Sequence, residues 1–139
     1  MIITQITSAL HDAPPRLQSL ICEILAAHCV LSPREAYLSI TEAFSDYRVT
    51  YGEQFRFQEL IQALQIDDPV YEPQSDPDKQ GNFWDSRTSI LTLVSALTGC
   101  SELIEDRVML REELSRRGLN ETLVVCGHLR YRFTCLMFI

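Results

Sequence analysis

Ile90–Leu123, ILTLVSALTGCSELIEDRVMLREELSRRGLNETL, reads as two helices meeting at a short corner. The first, Ser89–Leu97, is apolar almost all round through Ile90, Leu91, Leu93, Val94, Ala96 and Leu97. That is the pattern of a helix covered by neighbours on several sides. Thr98-Gly99-Cys100 breaks the run. Ser101 then stands as an N-cap, with Glu102 and Glu105 in the first turns that follow, where the helix dipole favours carboxylates. The second helix sets Leu103, Ile104, Val108, Leu110 and Leu114 among charges and ends in Arg116, Arg117 and Gly118. Cations in a last turn followed by glycine are a helix stop. A buried helix followed by an amphipathic one is what a stacked helical-repeat protein looks like from inside.

Outward from this stretch the chain stays helical in texture. Ile2–Ala9 is weakly helical, and His11-Asp12-Ala13-Pro14-Pro15 is a turn that also permits a helix start. Leu17, Leu20, Ile21, Ile24, Leu25, His28 and Cys29 recur at three- and four-residue steps, the spacing of an amphipathic helix. Its other side carries Ala26, Ala27 and Val30, so this helix has two non-polar sides. Ser32-Pro33-Arg34-Glu35 is a capping box with proline at the first helical position. It opens a helix bearing Ala36, Tyr37, Ile40, Ala43, Phe44 and Tyr47, which Val49-Thr50-Tyr51-Gly52 interrupts. From Glu53 a further helix is expected through Phe55, Phe57, Leu60, Ile61 and Leu64, ending near Gln65.

Residues 67–84, with three prolines, one glycine and five acidic residues, read as a long acidic surface loop, Asn82-Phe83-Trp84 folding back from its end. The tail, residues 124–139, has a different texture: after Gly127 it holds basic, aromatic and apolar residues with no acid, and its propensities lean toward strand. The helices near Pro14 and Ser86 are apolar in similar ways, Leu25-Ala26-Ala27 in one and Val94-Ser95-Ala96 in the other. Their separation exceeds an armadillo period of about 40–47 residues by about the length of the loop. The expected fold is all-α, one armadillo-like helical-repeat (α-solenoid) fragment over residues 1–139. So short a solenoid is expected to be marginally stable without neighbouring repeats.

Bulk composition narrows the function. At 139 residues and 46% hydrophobic content the chain supports one core. A net charge of −7 argues against nucleic-acid binding, which needs a basic face. No run of about eighteen apolar residues exists to span a bilayer. Met1–Leu10 has neither the basic start nor the long apolar core of a secretory signal. The five unevenly spaced cysteines therefore read as reduced, mostly buried thiols in the cytosol.

Sharper chemistry finds little support. Cys126-Gly127-His128 with Cys135 or Cys100 lacks the paired C-x-x-C spacing of a zinc site. His28 is no base for Cys29, because adjacent residues on a helix point about 100° apart. Acidic residues from Glu102 to Glu113 alternate with Arg107, Arg111, Arg116 and Arg117 as on a solvated face. No glycine-rich phosphate loop is present. No enzyme, cofactor or metal is expected.

Two segments resemble the armadillo-like regulatory domain of diaphanous-type formins, the third formin-homology region. One is LQSLICEILAAHCVL with the later EQFRFQELIQAL. The other is LTLVSALTGCSELIEDRVMLREELSRRGLNETL, in which Asp106, Arg107, Val108, Leu110, Arg111, Glu113, Leu114, Gly118 and Leu119 fall on the family's pattern. The likeness covers about residues 16–123. It implies a regulatory role: the concave face of such a domain holds an amphipathic helix from the formin C-terminus, and a GTP-loaded Rho-family GTPase competes that contact away. Carried over by position, the partner-helix groove comprises Ala27 and Val30 on one inner helix and Thr92 and Ser95 on the next. The family typically offers Gln and Asn where Thr92 and Ser95 stand. The GTPase contacts would lie largely outside these residues, actin would be reached only indirectly, and the location implied is cytoplasmic and cytoskeleton-associated. The alternative, from a different class, is a generic α-solenoid scaffold binding an unrelated peptide.

Overall fold

A computed structural model describes residues 2–65 and 77–129. Among them the chain is all-α, with no strand. Helices run α1 (Ile2–Ser8), α2 (Pro15–Leu31), α3 (Pro33–Thr50), α4 (Gln58–Leu64), α5 (Pro77–Cys100), α6 (Ile104–Arg116) and α7 (Leu119–Leu129).

The boundaries show which local signals act. α3 opens at Pro33, as its spacing predicts, but Ser32 contributes its carbonyl to the Ala36 N–H (2.8 Å) and not its hydroxyl. The interruption expected at Val49–Gly52 comes two residues later: α3 keeps Val49 and Thr50 and ends there, and Gly52 takes φ +66°. α6 stops at Arg116, and Gly118 adopts φ +93°, a conformation a Cβ would strain. Other expectations change. The helix foreseen from Glu53 starts only at Gln58, because Phe57 before it sits in the left-handed region (φ +65°). α6 begins at Ile104, because Ser101 Oγ accepts from the Leu103 N–H (3.3 Å) and donates to Asp106 Oδ2 (3.2 Å). α5 begins at Pro77 and continues to Cys100, so residues 77–84, Asn82-Phe83-Trp84 included, are helix and not loop. Proline suits a first helical turn, where its missing N–H costs nothing. The start of the acidic segment, 66–76, lies outside the described residues. In the tail, α7 carries helix to Leu129 in place of the expected strand, and 130–139 lie outside the described residues.

α2 and α5 form the central pair and pack on each other more extensively than any other two helices. They run parallel. Ser86 Oγ donates to Gln18 Oε1 (2.7 Å), Ser19 and Ser89 share a 2.6 Å hydrogen bond, and Cys29 meets Cys100 near the other end. On α2 the residues shown facing α5 are Gln18 and the small Ser19 and Cys29. On α5, Ser86, Ser89, Leu93, Leu97 and Cys100 recur at three- and four-residue steps as one stripe turned toward α2.

α1 packs on α3, and α3 packs on both α2 and α5. Leu10, Ile21, Leu25, Ile40, Phe44, Leu60, Leu64, Ile90, Leu93, Leu110 and Leu114 make one continuous core. Beyond it, Arg56 grips Glu113 with both arms of its guanidinium (3.2 and 2.7 Å), tying the segment before α4 to α6. Arg34 reaches Glu102 (2.8 Å), joining the start of α3 to the start of α6. Each first helix and its follower, α2–α3 and α5–α6, thus stack side by side.

Candidate functional site

The exposed side of the α2–α5 pair is the feature to explain. α2 buries Gln18, Ile21, Cys22, Leu25, Ala26 and Cys29. The periodicity that placed Leu17, Leu20 and Ile24 on that same buried face is corrected here: all three are exposed, Leu20 at 52%. With Ala27, Val30 (75% exposed) and Leu31 they form an apolar strip open to solvent along the helix. Apolar residues cover so much of this helix that periodicity alone cannot tell which half faces inward.

All four groove residues read from sequence are exposed. Ala27 and Val30 lie on α2, Thr92 and Ser95 on α5. Because the helices are parallel, with hydrogen bonds pairing residues 66 to 70 apart, Ala27 stands about level with Ser95 and Thr92 about level with Ile24. The two pairs therefore lie exposed on neighbouring helices.

Their chemistry differs by helix. α2 supplies aliphatic side chains. α5 supplies a row of short ones, Thr88, Thr92, Ser95 and Gly99, spaced at four and three residues, with half-buried Ala96 beside them. Thr92 Oγ1 donates to the Thr88 carbonyl (2.8 Å), so its hydrogen is committed to its own helix and its methyl is left as the contact group. Glu23 adds an exposed carboxylate whose Oε1 accepts from Ser89 Oγ (3.3 Å). Sequence reasoning missed Glu23, Leu20 and Ala96 as members of this surface. The wide apolar arc of α2 was the signal for Leu20. An aliphatic wall beside a wall of small residues is suited to shape-driven binding of another helix.

The thiols beneath this surface are inert by construction. Burial, with Glu23 adding to it, pushes the Cys22 thiol up to about 12, and burial beside Cys100 pushes Cys29 up to about 12. Only the thiolate is nucleophilic. Alkylation of Cys22 and Cys29 by iodoacetamide at pH 8 should therefore run on the order of a thousandfold slower than for a free thiol, and reach the free rate in denaturant. Mass spectrometry of timed aliquots reads this directly, and rapid native labelling of either thiol would contradict the placement. Among the described residues no three His, Cys, Asp or Glu side chains converge as a metal site, and no helix is long and apolar enough to cross a membrane.

No protein-family model matches the chain. Among characterised proteins it is similar to Formin-F of Dictyostelium discoideum, 32% identical over 114 residues, 82% of this chain and 8% of that protein. It is also similar to Formin-like protein 2 of Homo sapiens, 26% identical over 126 residues, 91% of this chain and 10% of that protein. The bovine Formin-like protein 2 matches at the same level. The chain thus spans a tenth or less of the length of these relatives. By these matches, which extend over most of its residues, the chain is related to formins.

Proposed function

We propose that the chain is a formin-type regulatory segment, built of armadillo-like stacked helices, that binds an autoinhibitory amphipathic helix along α2 and α5. On this reading it acts in Rho-GTPase-controlled organisation of the actin cytoskeleton, in the cytoplasm, as a binding module and not an enzyme. The observation that carries it is the joint exposure of Ala27, Val30, Thr92 and Ser95 on two adjacent parallel helices. The relationship to formins supplies the biological context.

The physics is helix-in-groove recognition. Apolar anchors on a ligand helix cover Ala27, Val30 and the neighbouring aliphatic side chains, while the short side chains of α5 let the ligand backbone come close. Water leaves the apolar surface, and that release supplies the main driving force. Control by a GTPase then follows from linkage. Two ligands that cannot be bound together weaken each other by the same factor, so a GTPase that excludes the helix releases whatever the helix was holding off.

Fluorescence anisotropy with a labelled formin C-terminal autoinhibitory helix tests the reading, with Ala27→Asp alongside. Saturable binding is expected, and the aspartate should weaken it by tenfold or more, about 1.4 kcal/mol or above. Helical circular dichroism of the variant should be unchanged, because residue 27 is exposed. A folded wild-type protein that ignores the helix would sink the proposal and leave a scaffold for an unrelated peptide.

A further inference from the structure

A cavity of about 280 Å³ opens between the first turns of α3 and α6, lined by Arg34, Tyr37, Leu38, Ser101, Glu102, Leu103 and Asp106. It shares no lining residue with α2 or α5, so it is separate from the groove above. It lies at the junction of the two stacked helix pairs, where Arg34 and Glu102 clasp across its rim. Its size falls just below the roughly 300–1,000 Å³ of small-molecule sites and suits a single long side chain.

The lining has two textures. Leu38 and Leu103 are both well exposed, and with the half-buried ring of Tyr37 they form apolar walls. At the polar end is half-buried Asp106, one oxygen of which accepts from the buried Ser101 hydroxyl. Two carboxylates face one guanidinium here, and Glu102 already engages that guanidinium. Among the described residues Asp106 forms no ion pair, and Arg56, whose charge also reaches Tyr37, is engaged by Glu113, in a chain of net charge −7.

These features select an occupant. A purely apolar group would strip water from Asp106 and return nothing to it. An anion would meet net negative charge. An aliphatic stem ending in a cation satisfies both textures, the stem against the leucines and the head on the carboxylate. A planar guanidinium adds a forked hydrogen bond to Asp106 and stacking over the Tyr37 ring, neither of which an ammonium matches.

We propose that this cavity is a docking pocket for one arginine side chain of a protein partner, its stem between Leu38 and Leu103 and its guanidinium on Asp106. The inference does not depend on the groove or on any ligand helix. An arginine seated there would bridge α3 and α6, as the Arg34–Glu102 pair does at the rim. Partner binding at this point would therefore pin the spacing of the two helix pairs.

The test is an NMR titration of the ¹⁵N-labelled protein with N-acetyl-arginine methylamide. N-acetyl-citrulline methylamide, which keeps the shape and loses the charge, is run in parallel with the lysine analogue. Saturable millimolar shifts are expected at the amides of Tyr37, Leu38, Leu103 and Asp106. Citrulline should produce none, and lysine should bind at least threefold more weakly. Asp106→Asn should weaken arginine binding fivefold or more, its amide spectrum reporting that the fold is kept. Leu38→Ser, at an exposed position outside the buried core and with its amide spectrum reporting the fold, should weaken it two- to threefold. No saturable shift at these amides, or equal response to citrulline, would overturn the proposal, and lysine binding as tightly as arginine would overturn the guanidinium fit.

Discussion

Leu93→Ala should lower the unfolding free energy by about 2–5 kcal/mol, measured from denaturant melts followed by circular dichroism. Leu93 is fully buried on the α5 stripe that faces α2, between Ser89 and Leu97. Truncation removes its methyl groups from the shared core and leaves a cavity among buried residues, whose incomplete relaxation adds to the lost burial. Leu93→Met, which keeps the volume, should cost under about 1.5 kcal/mol. With a typical domain stability of about 5–15 kcal/mol, the alanine variant removes a large share of what holds the chain folded. A loss below about 1 kcal/mol would show that residue 93 is not where the structure puts it.

Phe57 gives the second large effect, with an unusual order among variants. Its ring is buried and stands 4.6 Å, centroid to centroid, from Phe44, while its backbone holds φ +65° ahead of α4. Phe57→Ala should cost about 3–5 kcal/mol in lost packing. Left-handed backbone disfavours every residue with a Cβ by about 1–2 kcal/mol, a strain that alanine keeps and glycine releases. Phe57→Gly should therefore melt higher than Phe57→Ala, by a margin of up to about 1 kcal/mol, the reverse of the order inside a helix. Thermal melts of the two variants side by side decide it. Alanine above glycine would mean that the backbone before α4 is not left-handed.

These two residues also mark what was legible in the sequence. Leu93 could be assigned to the core because a helix apolar all round has nowhere else to put it. Phe57 could not be separated from the helix after it, since Phe55, Phe57, Leu60 and Ile61 fit a helical spacing and nothing local flags a left-handed aromatic. Pro33 and Gly118 were readable because proline and glycine act through their own backbone. Ser101 was readable as a cap in kind but not in position: its oxygen accepts from the Leu103 N–H while its hydrogen goes to Asp106, and the helix starts only at Ile104.

At the candidate site, Ala27 and Val30 stood out as small apolar residues opposite a leucine-rich face. That Leu20 and Ile24 share their exposure depends on which half of α2 the neighbours cover, a tertiary fact. Thr92 is a chemical case of the same kind. Its type shows a hydroxyl, but the bond to the Thr88 carbonyl that uses it is visible only in coordinates.

The parallel pairing of α2 with α5 has a consequence for how the protein is made. Residues that meet across it lie 66 to 71 positions apart, whereas α1, α2 and α3 are neighbours in the chain. During synthesis the N-terminal helices leave the ribosome first, and the face formed by Cys22, Ala26 and Cys29 waits uncovered until α5 emerges. At about 5–20 residues per second that wait lasts several seconds. Loop closure over such a separation must precede any reward from the contact, so the rate of folding is tied to the longest-range pairing in the domain. During that interval the apolar residues of α2 that the folded chain buries stay exposed.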